Sequence, residues 1–250
     1  MGTALVKDIL YRAAVLLNDI STQYTNWTEI EQVDFLNDAQ VAVCKFAPWA
    51  SSRTDSIKLT PMRVRQSIAT VPSASMIPVD GSTAFNAQGL FLTSLICNMG
   101  SDGLTEGNAI RLVSLETINT TNPAWPTQSG GVVNQYVYDA RFPKMFMVLP
   151  KPTSAIWVLA AYQALPAPIP PGGAHGSEVY AYGGSSTQTI TIDDRYLDDL
   201  VHYLVAKCFM KDAEFAANQP KADFFMNLFT GSLKTHAEVM MAMNPALAKS

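Results

Sequence analysis

Three histidines, His175, His202 and His236, are the first places to look for acid–base or metal chemistry in this chain. His175 lies in a Gly-rich stretch, while His202 and His236 fall inside helical patterns 34 residues apart. A zinc or iron site needs a second His or Cys at ligand spacing, and none of the three has one. No metal and no cofactor is expected. His202, beside Tyr203 in an apolar pattern, reads as a satisfied core or interface histidine. Four acids cluster at Asp193, Asp194, Asp198 and Asp199. Two carboxylates about 5 to 9 Å apart would suit a glycosidase. The same acids can also cap a helix and sit at the positive end of its macrodipole, and the spacing favours that reading. Ser101, in Met-Gly-Ser-Asp-Gly, is one residue short of a nucleophile elbow and reads as a turn. Gly183-Gly184 does not open a helix with a phosphate-loop pattern. Arg63 and Arg65, two apart in an expected strand, share one face and could meet phosphates or a subunit salt bridge. No catalytic site assembles from these residues, and no enzyme is expected.

The elements that would position such groups divide the chain into three. A first helix is expected over Thr3–Ile20, with Leu5, Ile9, Leu10, Ala13, Leu16, Leu17 and Ile20 on a broad apolar face. Thr28 with Glu31 has the form of a capping box, with Trp27 just before it. The second helix carries Ile30, Val33, Leu36, Val43 and Phe46 and stops at Pro48. From about Asp55 the period changes to 2. Expected strands are Ile57–Thr60, Met62–Val71, Leu90–Met99, Ala109–Ile118, Val132–Asp139, Lys144–Leu149 and Ala155–Tyr162, separated by turn residues such as Asp80-Gly81-Ser82 and Asn122-Pro123. No strand alternates with helices, so a parallel doubly wound sheet is not expected. Helical periodicity returns from Asp193, with Leu197, Leu200, Val201, Leu204 and Cys208 on one face. It breaks at Asn218-Gln219-Pro220 and resumes through Phe225, Met226, Phe229 and Leu233 to Met243.

These patterns predict an α+β chain. Residues 1–50 and 193–250 would pair two helical hairpins as a four-helix bundle. Residues 51–165 would form an inserted antiparallel β-sandwich or barrel. Residues 166–192, rich in Pro, Gly and Ser and without period, are either a mobile linker or an arm that orders only against another subunit. Val179, Tyr180 and Tyr182 are the anchors such an arm would use.

Composition narrows the function. Apolar residues make up 48% of the chain and charged residues only 15%, well under the usual quarter, which favours burial against other subunits. The balance of 17 basic against 21 acidic residues, a net −4, argues against general nucleic-acid binding. Cys44, Cys97 and Cys208 are odd in number and widely spaced, so buried free thiols in a reducing compartment are expected. No secretory leader and no membrane span is expected. A carbohydrate-binding or hydrolytic module would need paired acids and aromatic platforms in a cleft, and the aromatics here occupy core-like positions.

Residues spread along most of the chain resemble tailed-bacteriophage head-to-tail adaptor (connector) proteins. They are Trp27, Phe35-Leu36-Asn37-Asp38-Ala39-Gln40 and Pro48, then Ile110-Arg111, Asn122-Pro123-Ala124-Trp125, Tyr136-Val137-Tyr138-Asp139, Phe142-Pro143 and Leu149-Pro150-Lys151-Pro152. Tyr162, Pro166, Asp194-Arg195-Tyr196, Leu200-Val201-His202-Tyr203, Lys211-Asp212-Ala213-Glu214, Phe225 and Phe229 complete the set. Pro126 after Trp125 and the length of the Pro166–Gln188 stretch depart from the pattern. The resemblance implies a virion protein at the head–tail junction. It would work as a homo-oligomeric ring, by family habit a dodecamer, assembled in the host cytoplasm. It would join the portal protein to the tail tube or nozzle protein and frame a channel through which genomic DNA passes without sequence-specific binding. Another tail ring or nozzle component is the nearest alternative. A net-acidic chain would also keep DNA from sticking in transit.

For such a ring, Phe209, Phe215 and Phe224 lie off the main helical stripe and are expected at contacts between neighbours. Met240, Met241 and Met243 open a methionine-rich end, Val239–Ala248, which either docks into a portal crevice or frays.

Overall fold

The structure, a computed structural model, describes residues 2–20, 24, 26–79, 86–173, 177–212 and 217–243, apart from the Met241 side chain. His175, Phe215, the Asp80-Gly81-Ser82 turn and the tail beyond Met243 lie outside the described residues. In chain order the helices and strands are α1 (Val6–Leu17), α2 (Glu29–Phe46), β1 (Ser52–Lys58), β2 (Arg65–Ser67), β3 (Met76–Pro78), β4 (Gly89–Met99), β5 (Glu106–Ala109) and β6 (Arg111–Leu112). After them come α3 (Leu115–Thr121), β7 (Ser129–Gly130), β8 (Gln135–Tyr138), β9 (Met145–Leu149), β10 (Lys151–Pro152), β11 (Trp157–Ala164), α4 (Leu197–Lys211) and α5 (Asn218–Met243). The chain is mixed α and β and falls into two compact units, Met1–Ser51 with Pro166–Ser250, and Ser52–Leu165.

In the helical unit α2 starts where its chemistry requires. The Thr28 hydroxyl accepts from the Glu31 N–H and the Glu31 carboxylate accepts from the Thr28 N–H, so two otherwise orphaned donors are satisfied. α4 is the central helix and packs against α1, α2 and α5. Contact with three neighbours buries it around most of its circumference: Leu200, Val201, Leu204, Val205, Ala206, Cys208 and Phe209 are all inside. One core runs from Val6, Ile9 and Leu10 on α1 through Val33, Leu36 and Val43 on α2 to Phe229 and Leu233 on α5. Pro220 sits in the first turn of α5, where its missing N–H has no helical partner to lose.

The β unit holds a five-stranded sheet in the order β3-β1-β11-β4-β5, antiparallel throughout, and a four-stranded sheet in the order β2-β9-β8-β6. Alternation along β8 and β9 buries both faces of the smaller sheet. Tyr136, Phe146 and Val148 join Leu92, Leu95, Val158 and Tyr162 of the larger sheet in one core. Val137 and Leu149 point the other way, into a cluster with Ile118 of α3 and Trp125.

Three expectations give way here. The stretch Ala109–Ile118 was expected to be one strand, but it divides into β5, β6 and the start of α3, because the Ser114 hydroxyl accepts from the Thr117 N–H and caps a helix. With α3 in the connection, β6 and β8 pair in parallel, as do the two-residue strands β7 and β10, so the sheets are not purely antiparallel. A parallel return needs roughly a dozen or more residues of crossover, and the chain from β6 to β8 supplies them. The expected strand Met62–Val71 shrinks to β2. Met62 adopts φ 58°, and the Gln66 side chain bonds the backbone of Thr60 and Arg63, curling the chain before it can pair. Arg63 therefore precedes the strand, and it does not share a strand face with Arg65.

Candidate partner-contact surfaces

The segment 166–192 is not independent of its own chain. Its described residues form a strap across α1 and α2. Glu29, in the first turn of α2, is only 2% exposed, yet its carboxylate accepts three backbone N–H groups. These come from Gly173 (3.1 Å), Val179 (2.8 Å) and Tyr180. The positive end of α2 adds to the field that holds the charge there. Two turns on, the Asn37 amide donates to the Ile169 carbonyl at 3.0 Å and accepts the Ile169 N–H at 2.8 Å. Three residues further, the Gln40 carbonyl accepts the Thr191 N–H and hydroxyl at 2.9 and 2.7 Å. Close approach explains the paired glycines: a Cβ on Gly172 would collide with the Glu29 side chain, and one on Gly173 with the Ser177 carbonyl. The strap's end is tied in turn to the N-terminus, where the Asp194 carboxylate accepts from the N–H and hydroxyl of Thr3 and from the N–H of Ala4. Those bonds hold its carboxyl below the usual carboxylate range, the Thr3 hydroxyl first among them.

The strap residues expected to face another subunit therefore divide. Tyr180 is buried in the core of its own chain, with its hydroxyl donating to the Pro170 carbonyl and its own carbonyl accepting from Tyr24. Burial is the main reason its phenol is pushed up, and Glu29 adds to it. The Tyr182 ring is exposed on one side and stacked on Tyr11 at 3.8 Å on the other. Val179 gives its N–H to Glu29 and leaves its side chain outside.

Phe209 is a correction. It is 7% exposed and packs among Trp27, Phe225 and the Lys221 ammonium, because α4 has neighbours on three sides and no free off-stripe face at that level. Phe224 is 58% exposed, edge-on to Phe225. Phe209→Leu is expected to lower unfolding stability by about 1 kcal/mol in denaturant titration, the usual cost of a smaller core side chain, while Phe224→Ser stays within about 0.5 kcal/mol. Met240 is half-buried, its sulfur 3.8 Å from an Arg195 nitrogen, and Met243 is 79% exposed. Phe224 and Met243 stand 19 residues apart on one helix, a rise of about 28 Å, so the structure does not gather them into one patch.

A further apolar surface escaped the sequence reading. Tyr11, Arg12, Val15 and Leu16 of α1 with Asp198, Val201 and His202 of α4 line a groove of about 280 Å³. Arg12 and Asp198 face each other across its rim at 3.6 Å. The signal was a surplus: α1 carries more apolar residues than one face can bury, and Val15, Leu16 and Ile20 remain exposed.

The four clustered acids separate into distinct roles. Asp193 caps the short helical turn before α4 and pairs with Arg195, Asp194 tethers the N-terminus, Asp198 is exposed beside Arg12, and Asp199 is buried. The His202 Nδ1 is buried without a hydrogen-bond partner, so that histidine is not the satisfied one expected. Cys44, Cys97 and Cys208 are free and buried, and burial pushes all three thiols up. Among the described residues no group of three or more His, Cys, Asp or Glu is placed to hold a metal ion, and no helix is long and apolar enough to cross a membrane.

What the geometry offers is docking surface: a strap held by α2, an apolar groove, and a long helix with an exposed aromatic. The family whose sequence pattern matches, over residues 5–246, is the SU10 adaptor protein family. The chain belongs to this family. No curated protein matches it. As an SU10-type adaptor it is a structural phage protein, a virion component that works by contact with other head or tail proteins. The strap contacts also give a physical reason for two of the residues that carried the resemblance. Asn37 and Gln40 are the side chains that fasten it.

Proposed function

We propose that this chain is the head-to-tail adaptor itself, a homo-oligomeric ring, a dodecamer by family habit. The ring joins the portal protein to the tail tube or nozzle protein and frames the DNA exit channel at the head–tail junction. In this reading α1, α2, α4 and α5 act as a four-helix bundle, with the β unit as an inserted sandwich. DNA passes without sequence-specific contact, which suits a chain with net charge −4. The observation that carries the reading is the family match across residues 5–246. Exposed apolar side chains, Val15 and Leu16 of α1, Ile20 just beyond it and Phe224 of α5, support it, because a low-charge chain with such residues outside gains by covering them. Val179, Tyr182 and Phe224 are the ring contacts favoured here, and Met240, Met241 and Met243 the portal-facing ones.

Negative-stain images of the purified full chain, alone and mixed with its portal protein, test this. Rings on the portal are the expected result, and Phe224→Asp should thin them without unfolding the chain. Absence of rings under both conditions would overturn the reading.

A further inference from the structure

Asp199 is the one charged side chain of α4 that the fold places inside the protein. It is 2% exposed, and neither of its oxygens accepts a hydrogen bond of good geometry. A carboxylate so placed is strongly disfavoured unless something neutralises it. The polar and charged groups that face it come from two helices. From α5 come Ser232 and His236, whose Nε2 lies 3.8 Å from the carboxylate. From α4 come His202 and Asp198, of which Asp198 is turned outward to Arg12 of α1. Tyr196, just before α4, lies against the His236 ring at 5.7 Å and gives its oxygen to the Trp49 indole N–H. His236 and His202 can both bring positive charge towards Asp199; His236, whose Nε2 lies 3.8 Å from the carboxylate, belongs to the helix that carries Met240 and Met243.

We propose that Asp199 and His236 form a proton-operated latch that fastens the C-terminal half of α5 to α4. One proton shared by the pair closes it, whether as carboxylate with imidazolium or as carboxylic acid with imidazole. Loss of that proton leaves a bare carboxylate between the helices, and the contact opens to let water in.

The direction follows from Asp199. Burial pushes its carboxyl up, more than Ser232, His236 and His202 pull it down, and Asp198 adds to the rise. The folded chain then keeps its proton to higher pH than the unfolded chain does. Stability from this group is greatest in acid and is lost as pH rises through the raised value. The consequence is local. Beyond His236, among the described residues, Arg195 reaches α5 through the Met240 sulfur, while Val239 and Met243 are exposed. An open latch frees Met240 for a partner; a closed one holds it beside Arg195. The latch rests on α4 and α5 geometry alone and holds whether or not the chain forms a ring.

Hydrogen exchange of the full chain at about pH 5.5 and about pH 8, corrected for intrinsic rates, reads the latch directly in the amides of 232–243. Protection there should fall by at least about tenfold at the higher pH, while the first half of α5 changes little. Asp199→Asn, which carries no charge at either pH, should keep the high-pH protection at the low-pH level. His236→Gln should move the transition to lower pH, since the carboxyl must then hold the proton alone. Equal protection at both pH values in the parent chain would overturn the proposal. So would an Asp199→Asn chain that keeps the parent's pH dependence, or a His236→Gln chain with an unmoved transition.

Discussion

Glu29→Ala should lower the unfolding stability of the helical unit by about 3–4 kcal/mol and open the strap to proteolysis between Gly173 and Tyr180. The deletion strands three backbone N–H groups that have no other acceptor among the described residues, each costing about 1–3 kcal/mol when left dry. Part of that is returned, because burying the carboxylate carried its own desolvation cost. Glu29→Gln, which keeps one carbonyl oxygen but brings an unwanted donor, should lose about half as much. Denaturant titration gives the stabilities, and limited proteolysis followed by mass spectrometry locates the first cut. A Glu29→Ala chain within about 0.5 kcal/mol of the parent, with an unchanged cutting pattern, would mean that the strap is held by Tyr180 and Ile169 packing instead.

That result bears on why the strap was hard to read. Segment 166–192 has no hydrophobic period because its order comes from side chains of α2 bonding to its backbone, and backbone bonding leaves no mark in residue type. What marks remain are small: the Gly172-Gly173 pair, which admits Glu29, and Tyr180 and Ile169 as isolated anchors. The two open readings, linker or arm for a neighbour, both missed the simplest partner, the chain's own second helix. Glu29 was not singled out from the sequence. Its burial depends on a segment about 140 residues away, and no local pattern reports that.

Elsewhere legibility follows locality. The capping box that starts α2 and the Asp193 cap before α4 were visible because each rests on residues within one turn of one another. α1, expected from Thr3, begins instead at Val6, and the break expected at Asn218-Gln219-Pro220 falls before α5 starts at Asn218. β4, β9 and β11 were visible as largely apolar runs bounded by turn residues. α3 was not, because Ile110, Val113 and Ile118 invite a strand and only the Ser114 cap opposes it. Phe209 shows the limit of periodicity most clearly. Its position off the stripe was read correctly from spacing. Its burial follows from α4 having three neighbours, which is a fact of tertiary packing. The groove between α1 and α4 and the Asp199–His236 pair have the same origin.

The largest single loss in the β unit is expected at Asp55. Its carboxylate, buried on β1, takes a two-point contact from Arg53, with Nε at 2.9 Å and Nη2 at 3.1 Å, and the Tyr162 hydroxyl of β11 at 2.7 Å. Burial and the charge of Asp55 push the Tyr162 phenol far above its ordinary range, so its proton stays on and the hydroxyl remains a donor at any working pH. Asp55→Ala breaks a largely buried ion pair with Arg53 and takes the acceptor from the Tyr162 hydroxyl, a change that costs about 3–5 kcal/mol. Tyr162→Phe takes away a single donor and should cost about 1–2 kcal/mol. The double mutant should fall short of the sum by at least about 0.5 kcal/mol, because Tyr162 has already lost its acceptor once Asp55 is gone. A strictly additive pair would mean that the hydroxyl finds another acceptor, for which the Met76 sulfur at 3.4 Å is the nearest candidate. Since Asp55 and Glu29 belong to different compact units, their mutants also report on cooperativity. If the units unfold separately, each substitution shifts its own transition and leaves the other in place. A common shift would mean that the two cores melt as one.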